Sequence, residues 1–178
     1  MDIKAALLND RSKAQAQGIA AYIGSDPERF KILMTLFLQG EYRVTQRAAL
    51  VLRICSENYP ALVRPYLGDL IYNLDRPVPD AVKRNTIRHL QYISIPPALQ
   101  GKVAHICFNY LTGQEPVAVK AFSMTVLANL AKTEPDLANE LKIILQDQLP
   151  HASAGFSARA RKILRDFTPG FPQNRSHF

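Results

Sequence analysis

Apolar residues recur along this chain in four rows, each repeating at intervals of 36–38 residues. The first row is Phe30, Leu67, Val103 and Leu141, and the second is Leu33, Leu70, Ile106 and Ile144. The third is Met34, Ile71, Cys107 and Leu145, and the fourth Phe37, Leu74, Tyr110 and Gln148. Within each copy the positions fall at i, i+3, i+4 and i+7, which is one face of an α-helix. A helical face that returns at a constant interval predicts one unit copied along the chain, each copy burying its apolar face on the next. On that reading Leu33, Leu70, Ile106 and Ile144 are all expected in the core, in equivalent places.

Proline and glycine cut the chain at helix-length intervals: Gly24 with Pro27, Gly40, Pro60, Pro77 with Pro79, Pro96-Pro97, Gly113 with Pro116, Pro135, and Pro150 with Gly155. The segments between them have helical periodicity, none alternates apolar and polar residues over a strand's length, and no sheet is expected. They come in pairs. First members, about 27–39, 60–75, 97–112 and 135–149, carry the rows. Second members, about 41–56, 79–94, 115–132 and 154–167, share a template of an aliphatic start with apolar positions at +7, +8 and +11. Val44 leads to Val51, Leu52 and Cys55; Val82 to His89, Leu90 and Ile93; Val119 to Val126, Leu127 and Leu130. Ser12 leads likewise to Ile19, Ala20 and Ile23, so one more helix is expected before the first pair. The +4 position is small in four copies, Ala16, Ala48, Thr86 and Ser123, which lets neighbouring helices approach closely.

The steps Asp80-x-Val82-Lys83-x-x-Thr86-x-x-His89-Leu90-x-x-Ile93 and Val119-Lys120-x-x-Ser123-x-x-Val126-Leu127-x-x-Leu130, the latter preceded by Glu115, resemble the second helix of a HEAT repeat. The period, the helix pairs and the apolar rows agree with that family of armadillo-like α-solenoids over about residues 10–167. The resemblance implies an all-α, right-handed α-α superhelix of about four helix pairs plus an N-terminal capping helix. The expected domain is residues 1–167. Residues 168–178 have no period and are expected to form a flexible tail. The resemblance also implies that second helices line a concave surface, and that Lys83, Lys120 and Arg161 hold the family's structural position.

Charge then becomes informative. The chain carries 22 Lys and Arg against 15 Asp and Glu, a net charge of +7. Sorted by segment, the second members hold twelve basic and four acidic residues, and the first members, taken with their flanking caps as 26–39, 60–75, 96–112 and 134–150, five and eight. The sidedness predicts a basic inner face made by Arg47, Arg53, Lys83, Arg84, Arg88, Lys120, Arg161 and Arg165. Such a face attracts an acidic protein or a phosphate backbone, with strong salt dependence. Solubility and bonds to loop carbonyls are the plainer uses of the same residues.

No Gly-rich phosphate loop occurs, and His89, His105, His151 and His177 show no metal-ligand spacing, so no cofactor or metal is expected. Cys55 and Cys107 fall at apolar helix positions and are expected to be buried free thiols of a cytoplasmic protein. Asp2 beside Met1, with no long apolar run, argues against a signal peptide. No segment is long and apolar enough to insert in a bilayer. The function expected is a non-catalytic binding or scaffold module whose basic face holds an acidic protein or peptide. The alternative is nucleic-acid binding through phosphate contacts, although no aromatics are interleaved with the arginines. A third reading, activity like that of the HEAT-like DNA-alkylation-repair glycosylases, meets a chain without tryptophan.

Overall fold

Caps and prolines set where the helices start. Asp2, Ser12, Asp26 and Ser153 each accept a hydrogen bond from a backbone N–H of the following first turn, satisfying donors that the helix itself leaves orphaned. Pro27, Pro97 and Pro135 open helices where a missing N–H costs nothing. Pro79 and Pro116 sit at equivalent N-cap positions, and each carbonyl accepts from the amides three and four residues on.

The computed structural model describes residues 1–167 and contains ten α-helices: α1 (Ile3–Asn9), α2 (Lys13–Ile23), α3 (Pro27–Gln39), α4 (Tyr42–Asn58), α5 (Leu67–Asn73), α6 (Asp80–Leu90), α7 (Pro97–Thr112), α8 (Val117–Leu130), α9 (Pro135–Gln148) and α10 (Ala154–Asp166). Three short 3-10 turns, Pro60–Leu62, Arg64–Tyr66 and Leu149–His151, complete it, and the described residues contain no strand. The fold is an all-α helical solenoid. The segment 168–178, read from sequence as a tail, lies outside the described residues.

Three departures from the sequence reading have local causes. The region before Ile19 holds two helices, because Asp2 caps a short amphipathic turn, α1, that buries Ile3 and Leu7. The segment expected as one helix over 60–75 becomes two 3-10 turns followed by the seven-residue α5, since Pro65 supplies no amide to continue an α-helix from Pro60. Second helix α6 stops at Leu90, and Ile93 falls in a bend beyond it.

The chain forms two compact units, Met1–Tyr92 and a second that begins at Ile93. In the first, α4 is the hub and packs on α1, α2, α3 and α6, while α5 packs on α3. In the second, α8 is the hub for α7, α9 and α10. The repeating rows fill both cores. Phe30, Leu67, Val103 and Leu141 are buried, as are Met34, Ile71, Cys107 and Leu145, and Leu33, Leu70 and Ile106. Ile144 departs from expectation and is only half-buried, because α9 leaves one side open to a cleft that Ile144 lines with Ile143. The four small +4 residues are all buried, in agreement with a packing role.

Helix ends are closed by side chains from other helices. Thr45 Oγ1 donates to the Gly40 carbonyl at 2.9 Å, Arg29 Nη1 to Tyr22 at 2.6 Å, and Gln15 Nε2 to Ala6 at 3.0 Å. Arg47 Nη1 donates to Leu7 at 2.8 Å, and in the second unit Gln148 Nε2 reaches Leu111 at 3.3 Å. These are the last carbonyls of helices, which have no partner within their own helix. Gly24, with φ at +54°, ends α2 in the left-handed region that side-chain-bearing residues avoid.

Candidate functional site

The second helices of the first unit assemble a compact charged cluster. Arg53 and Glu57 lie one turn apart on α4, and Arg53 Nη1 donates to both Glu57 oxygens at 2.8 and 3.0 Å. From α6, Arg88 Nη2 lies 4.0 Å from the same carboxylate. Arg84, one turn earlier on α6, is exposed and has no ion pair among the described residues. Three guanidiniums thus stand around one exposed carboxylate. The Glu57 side chain is 51% exposed, so its pairs are surface ion pairs. Each is worth at most about 1 kcal/mol, and an incoming anion competes readily with Glu57.

His89 follows Arg88 but turns the other way, into the core, where it is 6% exposed and its Nε2 has no hydrogen-bond partner. Burial pushes its pKa down to about 4; nearby Glu57 acts in the opposite direction, and Arg88 and Arg53 reinforce the burial. A neutral imidazole without a partner is a core residue, in line with its place on the apolar template. Burial likewise raises Cys55 to about 11 and Cys107 to about 12, so both free thiols are poor nucleophiles in the folded chain. Among the described residues no group of His, Cys, Asp and Glu could hold a metal ion, and no helix is long and apolar enough to cross a membrane.

The other basic residues singled out from sequence lie elsewhere. Arg47 is half-buried and anchors the end of α1. Lys83 is half-buried on α6. In the second unit, Lys120 lines a cleft of about 720 Å³ whose wall includes Glu115, Asp147 and His151, with Val117, Ile143 and Phe156 as apolar surface. Arg161 and Arg165 are exposed one turn apart on α10, while Arg159, outside that set, donates to Thr125 Oγ1 at 2.9 Å and ties α10 to α8.

The repeat rows, the helix pairs and the small packing positions coincide with a family match: the HEAT repeat domain matches the chain over residues 3–167. The chain belongs to the HEAT-repeat family. No curated protein and no solved structure matches it.

Within this HEAT-repeat chain, the second-helix arginine that reaches a carbonyl of another helix is Arg47, at a position the repeat template did not mark. Sequence reasoning also missed Glu57, because the segment was bounded at about 56, just past the last template position, Cys55. The i,i+4 spacing of Arg53 and Glu57 was the available signal. Two exposed tyrosines, Tyr59 and Tyr92, just past the ends of α4 and α6, were not singled out either.

Proposed function

We propose that this HEAT-repeat chain is a non-catalytic binding module that holds an acidic protein segment on the basic surface of its second helices, centred on Arg53, Arg84 and Arg88. HEAT repeats are in general protein-interaction scaffolds, whose stacked helices offer a rigid extended surface. The observation that carries the reading is the cluster around Glu57. Arg84 has no ion pair among the described residues, and Arg53 and Arg88 approach the same exposed carboxylate. Carboxylates of a partner replace Glu57 with little loss and bring further hydrogen bonds to the guanidinium forks. The second unit brings basic residues of its own, Lys120, Arg161 and Arg165, and Lys83 and Arg47 contribute positive potential in the first.

The test is fluorescence anisotropy with a labelled oligoglutamate peptide, random duplex DNA and single-stranded DNA, each at low and high salt. Salt-sensitive binding of the peptide, weakened by the double variant Arg84→Glu, Arg88→Glu and unaffected by reversal of Glu140 and Asp147, is the expected result. Peptide binding that survives the arginine reversal refutes the proposal. Preferential binding of duplex or single-stranded DNA replaces it with the nucleic-acid reading, in which Tyr59 and Tyr92 would supply stacking surfaces.

A further inference from the structure

A second basic feature of the first unit lies outside the set read from the repeat pattern. The α1–α2 linker and one face of α4 border a cleft of about 570 Å³ lined by Asp10, Arg11, Ser12, Arg43 and Arg47, with the half-buried Leu50 beside them. We infer that this cleft binds a phosphomonoester group, gripped by Arg11, Arg43 and Arg47.

Arg43 and Arg47 lie one helical turn apart on α4 and share a face, while Arg11 approaches from the linker. The side chains of Arg11 and Arg43 have no ion pair or hydrogen bond among the described residues. Arg47 uses Nη1 on the Leu7 carbonyl, which fixes the guanidinium at the cleft and leaves its remaining N–H donors without an acceptor among the described residues. The one acid in the lining, Asp10, is already engaged: its two oxygens accept from the Ser12 amide and the Ser12 hydroxyl. Those bonds hold it below the usual carboxylate range, so it remains ionised.

Three guanidiniums and one carboxylate leave the cleft at +2. A phosphomonoester carries about −1.5 to −2 at neutral pH and offers three acceptor oxygens. It therefore matches the cleft in both charge and number of acceptors, and a guanidinium fork meets two such oxygens at once. A carboxylate would leave one positive charge uncompensated and one arginine without an acceptor. The half-buried Leu50 beside the arginines can meet an organic group attached to the phosphate, carried by either a phosphorylated side chain or a small molecule. The volume lies in the range of small-ligand clefts.

This inference stands apart from the Arg84–Arg88 patch. The experiment titrates the full chain with inorganic phosphate, phenyl phosphate, benzoate at matched ionic strength, and a phosphoserine peptide with its unphosphorylated twin, following backbone amides by NMR. Phenyl phosphate is expected to give saturable changes confined to residues 10–16 and 43–51, with benzoate giving none. Arg11→Gln and Arg43→Gln are each expected to weaken binding about tenfold, the loss of one charge-assisted hydrogen-bonded pair. The double variant Arg84→Glu, Arg88→Glu is the control. If it keeps phosphate binding while losing the oligoglutamate peptide, the two sites are separate and each reading is judged alone. Tighter binding of the phosphopeptide than of phenyl phosphate supports the inference with a protein as carrier, and the reverse order supports it with a small molecule. Benzoate binding as well as phenyl phosphate, or unchanged affinity in both arginine variants, overturns it.

Discussion

His89 makes the stability of this chain depend on pH in a window where few other groups titrate. Its imidazole is buried, lacks a partner at Nε2, and ionises at about 4 against an ordinary value of 6.5. The folded state therefore refuses a proton that the unfolded chain accepts. Stability is complete above the unfolded value and falls as pH drops from 6.5 towards 4. A tenfold difference in proton affinity between the two states is worth about 1.4 kcal/mol, so the full loss is about 3 kcal/mol. Integrating the linkage from about pH 7 to about pH 5 gives a loss of about 2 kcal/mol. Leu is the informative replacement, because the equivalent template positions, Ile19, Val51 and Val126, are all buried and apolar. Urea unfolding followed by far-UV circular dichroism, repeated across that pH range for the wild type and His89→Leu, measures the effect. Subtracting the two curves removes the carboxylates they share. The wild type should lose about 2 kcal/mol more than the variant on going from neutral to mildly acidic pH. Parallel curves would show that the imidazole is hydrated or protonated in the fold, and that the burial argument is wrong.

Core truncations test the rows. Leu70→Ala and Ile106→Ala should each cost about 2–5 kcal/mol in denaturant unfolding, and the half-buried Ile144→Ala about half as much; losses under about 1 kcal/mol at both buried sites would show the repeat register to be wrong. Arg47→Met removes the donor from the Leu7 carbonyl and should destabilise the attachment of α1 by about 1–3 kcal/mol, seen as faster amide exchange confined to Ile3–Asn9 and its neighbours. Unchanged exchange there would mean that water replaces the arginine at no cost.

The fold was legible because its signal is redundant. Four rows in four copies give sixteen positions, and a single misfit such as Gln148 cannot hide the period. The helix boundaries were less legible where proline chemistry overrode periodicity: Leu67, Leu70, Ile71 and Leu74 keep the helical spacing although only Leu67–Asn73 is α-helical. The site was legible only as charge. Counting arginines along second helices finds Arg53, Arg84 and Arg88, but periodicity does not record which carboxylate meets them. Glu57 lay one residue past the expected helix end. Arg47 and Arg11 show the same limit. Their surroundings come from α1, whose seven residues hold too few apolar positions to announce a helix by pattern, and whose presence converts a solvent-facing arginine into a wall of a cleft.

The short α5 has a bearing on where this chain can gain or lose residues. Its row begins at the first residue of the helix, Leu67, and ends at the C-cap residue Leu74. A residue inserted between Leu70 and Ile71 would rotate every later position by about 100° and swing Ile71 and Leu74 away from the core. The same insertion at Arg76–Pro77, exposed and between helices, leaves both flanking faces in phase. Length variation among descendants of this sequence should therefore collect in the connectors and spare the rows. The distance between copies would drift while the spacing within each copy stays fixed, as it already does here in intervals that range from 36 to 38 residues.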